Sequence, residues 1–421
     1  MIHRIARSTL LLAISLLIAI DTGSAQEWTR FRGPNGSGLG TAQSLPAKWT
    51  EGDYNWRIRL PGIGHSSPVL WGDRIFLLSA DPDSATRYVL CYSAADGSQL
   101  WQREFPSQPH HLHDRNTFAS STPVVDAERV YVAWSDPQRV TLMALDHDGR
   151  DAWDLDLGTW TSQHGFGTSP IRFEDLVILN NSQQAENLAP GQTAGQTCLM
   201  AFDAKTGEER WRNPRKTVRV CYSTPCIHQL PGGEPELLCT STADGVFSLN
   251  PRTGQENWRV ADAFRMRVVS SPLLADDIVF GSTGSGGGGN YVVAVQMSPK
   301  PEMLYKIDRN APYVPTIVAK DGLAYLFGDR GTAVCIEVRT GETHWRQRLG
   351  RGFSGSPVIA DDKVYVIDDD GNVRVLSASK EFRELGVNPL GDPSRATPAV
   401  SGGCLYFRTL SHLMSLGGQT L

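Results

Sequence analysis

The 421-residue chain has little charge bias: 40 Lys and Arg stand against 45 Asp and Glu, a formal net charge of −5. Near balance excludes a general nucleic-acid or polyanion binder, which needs a basic surface. Long apolar runs are missing too. The stretch at residues 10–20, broken by Ser15, is 11 residues long, whereas a membrane-spanning helix needs about 20. No Gly-Lys-Ser/Thr follows the glycine-rich residues 284–290, so a phosphate cradle is not expected. No Gly-x-Ser-x-Gly elbow marks a hydrolase; Ser66 and Ser67 beside His65 belong to a repeat described below. Cysteines number seven, and no two are adjacent. By contrast, 41 Gly and 25 Pro imply many turns.

His3, Arg4 and Arg7 precede the apolar run, and Gly23-Ser24-Ala25 follows it with small residues. This is the layout of a secretory signal peptide. The expected organisation is a signal peptide over residues 1–25, an extension over 26–53 and a repeat domain over 54–421. The mature chain is expected to be exported to the periplasm or the exterior, with no transmembrane segment.

One unit recurs eight times. A short residue, Pro and an apolar run appear at Ser67-Pro68, Thr122-Pro123, Ser169-Pro170, Thr224-Pro225, Ser271-Pro272, Val314-Pro315, Ser356-Pro357 and Thr397-Pro398. Spacings of 41 to 55 residues suit four short strands with turns. In the first unit, Pro68 to Trp71, Arg74 to Ser79, Tyr88 to Tyr92 and a strand holding Trp101 read as those four strands, with turns at Gly72-Asp73 and Asp96-Gly97. A second marker closes the units. Trp101, Trp153, Trp211, Trp258 and Trp345 each follow a Gly by four residues, with Tyr305 and Phe382 in comparable places. An in-phase indole is best explained by packing on a neighbouring copy.

Eight four-stranded units arranged radially form an all-β, eight-bladed β-propeller; a linear β-solenoid is the alternative. The last unit lacks a fourth strand. Residues 54–60, with Trp56 in the aromatic role, are expected to supply it and remove the open edges.

The segment Ala201-Phe202-Asp203-Ala204-Lys205-Thr206-Gly207-Glu208-Glu209-Arg210-Trp211 resembles the tryptophan-docking repeat of quinoprotein-type propellers. These include the pyrroloquinoline-quinone (PQQ) alcohol dehydrogenases and the bacterial outer-membrane-assembly propeller. Arg252-Thr253-Gly254 and Arg339-Thr340-Gly341 repeat the pattern. Trp28-Thr29-Arg30-Phe31-Arg32-Gly33-Pro34-Asn35 is similar to the opening of a group of exported PQQ-like repeat proteins. The resemblance implies the propeller fold over residues 54 to 421. The dehydrogenases of the family also carry adjacent cysteines and a calcium held by Glu, Asn and Asp; this chain has no Cys-Cys pair. Asn180-Asn181 and Asp368-Asp369-Asp370 are the polar candidates, expected as solvated loop residues between second and third strands.

In such a ring, loops entering each blade return to the channel on one face. The ligand-rim candidates are therefore His65, His164, Phe166, Arg219, Tyr222, Arg265, Arg267, Tyr313, Arg351, Phe353 and Arg395. Cations and aromatic rings together suit carboxylates, sugars or an acidic peptide. The run His110-His111-Leu112-His113-Asp114 lies on one loop, and metal sites draw ligands from several elements, so no metal is expected there. Cys221 and Cys226 would be about 16 Å apart in a strand, too far for a bridge. Cys226 and Cys239 would lie opposite each other if their hairpin centred on Gly232-Gly233, making them the candidate disulfide.

No catalytic set is recognisable. The leading expectation is an exported, non-catalytic binding or scaffolding propeller that meets an envelope or periplasmic protein, or a small anionic or sugar ligand, at the rim, with no cofactor. The outer-membrane-assembly propeller implies protein partners. The alternatives are a PQQ-dependent oxidoreductase, with Arg267, Arg351 and Arg395 serving the cofactor's carboxylates beside calcium, and a carbohydrate-binding or carbohydrate-acting propeller.

Overall fold

A computed structural model describes residues 28–229, 232–298 and 300–418. The expected signal peptide, residues 1–25, lies outside them. The described chain is almost wholly β, with eight antiparallel four-stranded sheets. Seven are consecutive meanders, blades 1 to 7 in chain order, with blades 2 to 7 spanning residues 124–156, 171–215, 226–260, 273–307, 318–348 and 358–389. Blade 1 runs Val69–Trp71, Arg74–Ala80, Arg87–Ser93 and Gln99–Phe105, close to the sequence expectation. Blade 8 is made of Ala399–Ser401, Cys404–Arg408 and His412–Gly417, and Tyr54–Arg59 pairs with the last of these. The ring is thus closed by strands from opposite regions of the chain. No helix among the described residues is long and apolar enough to cross a membrane.

The second and third strands carry the apolar content, and their side chains are buried on both faces. The hydrophobic core is therefore a series of layers between blades. Val130, Val132 and Met143 of blade 2 pack with Phe76, Leu78 and Val89 of blade 1, and Val292 and Ala294 of blade 5 with Leu326 and Val334 of blade 6.

A repeating aromatic side chain, indole in five blades and phenol in one, locks six of the eight layers at their outer side. Trp56, Trp101, Trp153 and Trp211 donate their indole N–H to the carbonyls of Ala94, His147, Ala204 and Pro251 in the next blade, at 2.7–3.0 Å. Trp345 does the same to Ser379, and the Tyr305 hydroxyl to Val338. The turn glycine lies flat beneath the ring: a Cβ on Gly254, at φ +72°, would stand 2.5 Å from Trp211. Only glycine combines that φ with that approach. Trp258 departs from the pattern and bonds Glu236 of its own blade.

Phe382 does not hold the aromatic role. The residue in register with the indoles in blade 7 is Gly386, opposite Val375. A Cβ there would meet the Ala47 carbonyl at 2.0 Å. Blade 8 has no turn between its third and outer strands, because those come from residues 412–417 and 54–59. An indole from blade 7 would find no turn to dock on, and residues 45–49 fill the groove instead. Trp49 stacks on Phe407 at 5.6 Å, and Asn388 bonds the Trp49 N–H.

The inner strands are joined by hydroxyls. In seven of the eight blades the peptide N–H of the Ser or Thr that leads the inner strand donates to the Ser or Thr hydroxyl at the equivalent place in the next blade. Seven such bonds of 3.0–3.1 Å run Ser67→Thr122→Ser169, Thr224→Ser271→Thr316→Ser356→Thr397 and Thr397→Ser67. The sixth marker is corrected by this ring. Thr316 occupies the hydroxyl position, two residues beyond Val314, and Ile317 stands where the other blades have proline.

Two further expectations fail. Cys226 pairs with Leu238 rather than Cys239, a one-residue slip. Successive strand residues face opposite sides, so Cys226 enters the layer toward blade 5 and Cys239 the layer toward blade 3. All seven cysteines are free thiols. Asn180 and Asn181 are not solvated loop residues: they end the strand Leu176–Asn181 and are buried, with the Asn180 amide donating to the Ser223 carbonyl.

Trp211→Ala is expected to cost about 3–5 kcal/mol by cavity formation, read as a lowered denaturant midpoint, whereas Trp258→Ala, at a half-buried ring that bonds only its own blade, should cost less. Reductant should leave Tm unchanged, and seven thiols should titrate in denaturant without reductant; fewer would contradict the pairing.

Candidate functional site

The two ends of the channel differ. Residues 28–40 cross one end, beside the turns between first and second strands. The inner strand of every blade turns an edge of unpaired N–H and C=O groups toward the axis, and buried backbone groups require partners. The extension provides them. Leu70 and Val125 donate to the Trp28 and Thr29 carbonyls, Asn35 bonds both polar groups of Ile227, and Ile359 exchanges bonds with Gly38 and Gly40. Arg30 and Arg32 reach the carbonyls of Pro225 and Ile317. These contacts cover blades 1, 2, 4, 6 and 7, and Gly40 lies against Val400 of blade 8. In the sequence the Trp28-to-Asn35 motif is the only trace of this plug.

The opposite face holds the loops that enter each blade, and the rim candidates lie on them. Short bridges fix them: Arg267 pairs with Gly284, and Phe353 with Asp368. Arg219, Arg265 and Arg351 are exposed, His65, His164, Tyr222, Tyr313 and Arg395 half-buried, and Arg267 buried. Phe166 and Phe353 are not rim surfaces. Phe166 packs edge-on against Trp160, and Phe353, with no exposure, against Phe327. Near-complete burial in the interblade layers was not visible from their place before the proline.

Arginines and histidines act on one another across this mouth. Burial, then Arg395 and Arg408, push the His65 imidazole down to about 3. Burial, then Arg267, His113 and Arg219, push His164 down to about 4. Arg115, absent from the sequence candidates, acts on both Asp329 and Arg395. Asp329 is pushed above the usual carboxylate range by burial while its oxygens accept from the Tyr313 and Val314 N–H groups. The Tyr222 hydroxyl lies 3.2 Å from Ser162.

A cleft of about 540 Å³ adjoins His164, lined also by His110, His111, His113, Trp160 and Gln192. His113 and His164 meet edge-on at 4.8 Å. Among the described residues no three His, Cys, Asp or Glu side chains form a metal-holding group. Calcium asks for six to eight oxygens, yet Asp368 is taken by Arg374 and Asn372, Asn180 bonds Ser223, and Asp329 serves backbone N–H groups. Of the three arginines expected to share a cofactor's carboxylates, Arg351 points into solvent near Asp370 while Arg267 is buried. Asp368, Asn180, Asp329 and Arg351 thus do not fit a PQQ–calcium centre, while Asn181 Oδ1 and Asp369 Oδ1 are buried without a partner.

The neutral His65, half-buried but with both ring nitrogens buried and unpartnered, generates a pH dependence. Its folded value lies below the unfolded 6.5, so its contribution to stability is complete above about pH 6.5 and is lost as pH falls toward 3. His65→Gln should therefore lose less stability than the parent between about pH 7 and about pH 4. Denaturant midpoints across that range check this; parallel curves would refute it.

Known proteins share this architecture. Relatives named outer membrane protein assembly factor BamB match at 23% identity in Legionella pneumophila (strain Paris), over 62% of this chain and 51% of the relative, and at 22% in Moranella endobia (strain PCIT), over 42% and 49%. The chain thus spans about half the length of these first relatives; a third, from Burkholderia pseudomallei (strain K96243), is 23% identical over 82% of this chain and 81% of its own. Among solved structures, BamB from Moraxella catarrhalis superposes with a TM-score of 0.61 at 16% identity, covering 87% of this chain and 97% of that one. A europium-containing methanol dehydrogenase gives 0.66 at 12% identity, covering 92% and 90%, and the quinohemoprotein alcohol dehydrogenase of Comamonas testosteroni 0.68 at 13%, covering 94% and 81%. Such likenesses extend to the fold alone. The family model described as outer membrane protein assembly factor BamB matches residues 40–219, 194–296 and 308–412, well over half of the sequence, and the chain belongs to that family.

Proposed function

We propose that this protein is an exported, non-catalytic docking propeller of the cell envelope that binds a protein partner through the face bearing Arg219, Arg265 and Arg351. The observation that carries this reading is the asymmetry of the ring. One end of the channel is sealed by the chain's own extension, and the other presents exposed guanidiniums on rigid loops around half-buried tyrosines. Arginine and tyrosine dominate binding energetics at protein interfaces. A partner with an acidic segment complements this rim and gains association rate from the exposed guanidiniums. Family membership supports an envelope setting and a scaffolding role. The oxidoreductase alternative draws on the fold likeness to quinoprotein dehydrogenases and lacks a calcium donor set at the mouth. The carbohydrate alternative loses Phe166 and Phe353 as sugar platforms.

The test is capture from an envelope fraction by the purified chain and by the triple variant Arg219→Glu, Arg265→Glu, Arg351→Glu. The variant should keep the parent Tm, because all three side chains are exposed. Its affinity for the captured partner should fall at least about tenfold, and the salt dependence should shrink. Undiminished capture would move the docking surface elsewhere.

A further inference from the structure

We propose that the plugged end of the channel holds one small inorganic anion of the chloride class between the guanidiniums of Arg30 and Arg32. Both side chains are deeply buried, at 5% and 0% exposure. Arg30 Nη2 donates to the Pro225 carbonyl at 2.6 Å; Arg32 Nη2 donates to Ile317 at 2.7 Å and Ser37 at 3.5 Å. Arg30 Nε, Arg32 Nε and Arg32 Nη1 are buried without any partner. The titratable groups acting on the pair are Cys226 and, for Arg32, Arg30 itself. No carboxylate is among them.

Cys226 does not neutralise the pair. Burial pushes its thiol up to about 11 despite both arginines, so it stays protonated at neutral pH. Burial lowers Arg30 to about 10 and Arg32 to about 9, which leaves both cationic. Two like charges without a counter-charge in a dry interior are strongly unfavourable, and carbonyl dipoles do not cancel a net charge of two.

Other arginines of the fold show what is usual here. Arg215 has Asp244 and Glu256, and Arg374 has Asp368 and Glu384. Arg87 has the Ala85 and Ser135 carbonyls, the Phe118 ring and Asp136 within electrostatic reach. Arg408 also lacks an acid, but all three of its nitrogens bond oxygens of Ser66, Leu78, Ser79 and Thr409. Arg30 and Arg32 alone among these are acid-free, mutually repelling and left with open donors. Their bonded carbonyls belong to blades 4 and 6, which places both guanidiniums along the channel between those blades. An anion there would accept the open N–H groups and offset one of the two positive charges.

The site is independent of the rim and is tested without a protein partner. Crystals of the whole protein grown in bromide should show an anomalous peak within hydrogen-bonding distance of both Arg30 and Arg32. Water alone between them would overturn the proposal. In solution, replacing gluconate by chloride at constant ionic strength should raise Tm by about 2–5 °C, and Arg32→Gln should abolish the rise. An equal rise in the variant would assign the effect to the surface and overturn the proposal. Should that variant not fold, the bromide crystal of the parent protein decides alone.

Discussion

The governing constraint is the inner edge of the blades. Eight strands turn the unpaired side of their ladders toward one narrow axis, where neighbouring strands diverge and cannot pair. Each buried N–H and C=O left open would cost as much as a lost hydrogen bond. Two devices answer this. At one level the Ser or Thr that leads the inner strand bonds the hydroxyl of the next blade, and at another the extension threads past the strands and bonds them in turn. The repeating Ser/Thr-Pro pair and the Trp28-to-Asn35 motif are the sequence traces of these two solutions.

The outer side of the ring follows a different rule. An indole can dock only where the next blade offers a tight turn with room for a flat ring. Trp258 bonds Glu236 of its own blade, although a turn without glycine is no bar in itself, since Trp345 docks on Ser379 in the glycine-free turn at residues 378–383. Where the turn does not exist, at blade 8, the indole is replaced by Gly386 and the space goes to residues 45–49. The exception at blade 7 therefore marks a real change in the neighbour.

Blade number, strand order and ring closure were legible in the sequence because they rest on local spacing and in-phase aromatics. Features set by tertiary register were not. The inner strand of blade 6 was misplaced by two residues because Pro315 mimicked the marker, whereas Thr316 makes the bond. The Cys226–Cys239 pairing failed by one residue of register, enough to put the thiols on opposite faces. At the rim, spacing located the loops but not the direction of each side chain. Arg219 and Arg351 project outward while Phe353, two residues beyond Arg351, turns into the layer. Arg115 lies eight residues before Pro123, one more than separate Arg265 from Pro272, and acts across the mouth only after folding.

Blade 8 joins Tyr54–Arg59 to His412–Gly417, a pairing across nearly the whole length of the chain. Such distant contacts form slowly, because the loop they close must be ordered first. Until the final segment arrives, seven wedges stand with bare flanks, and the waiting strand at residues 54–59 is free to complete the wedge of a second molecule instead. The same seam that seals the monomer is thus the natural point for strand exchange between copies, and it confines the chain's greatest hazard of misassembly to the last moments of folding.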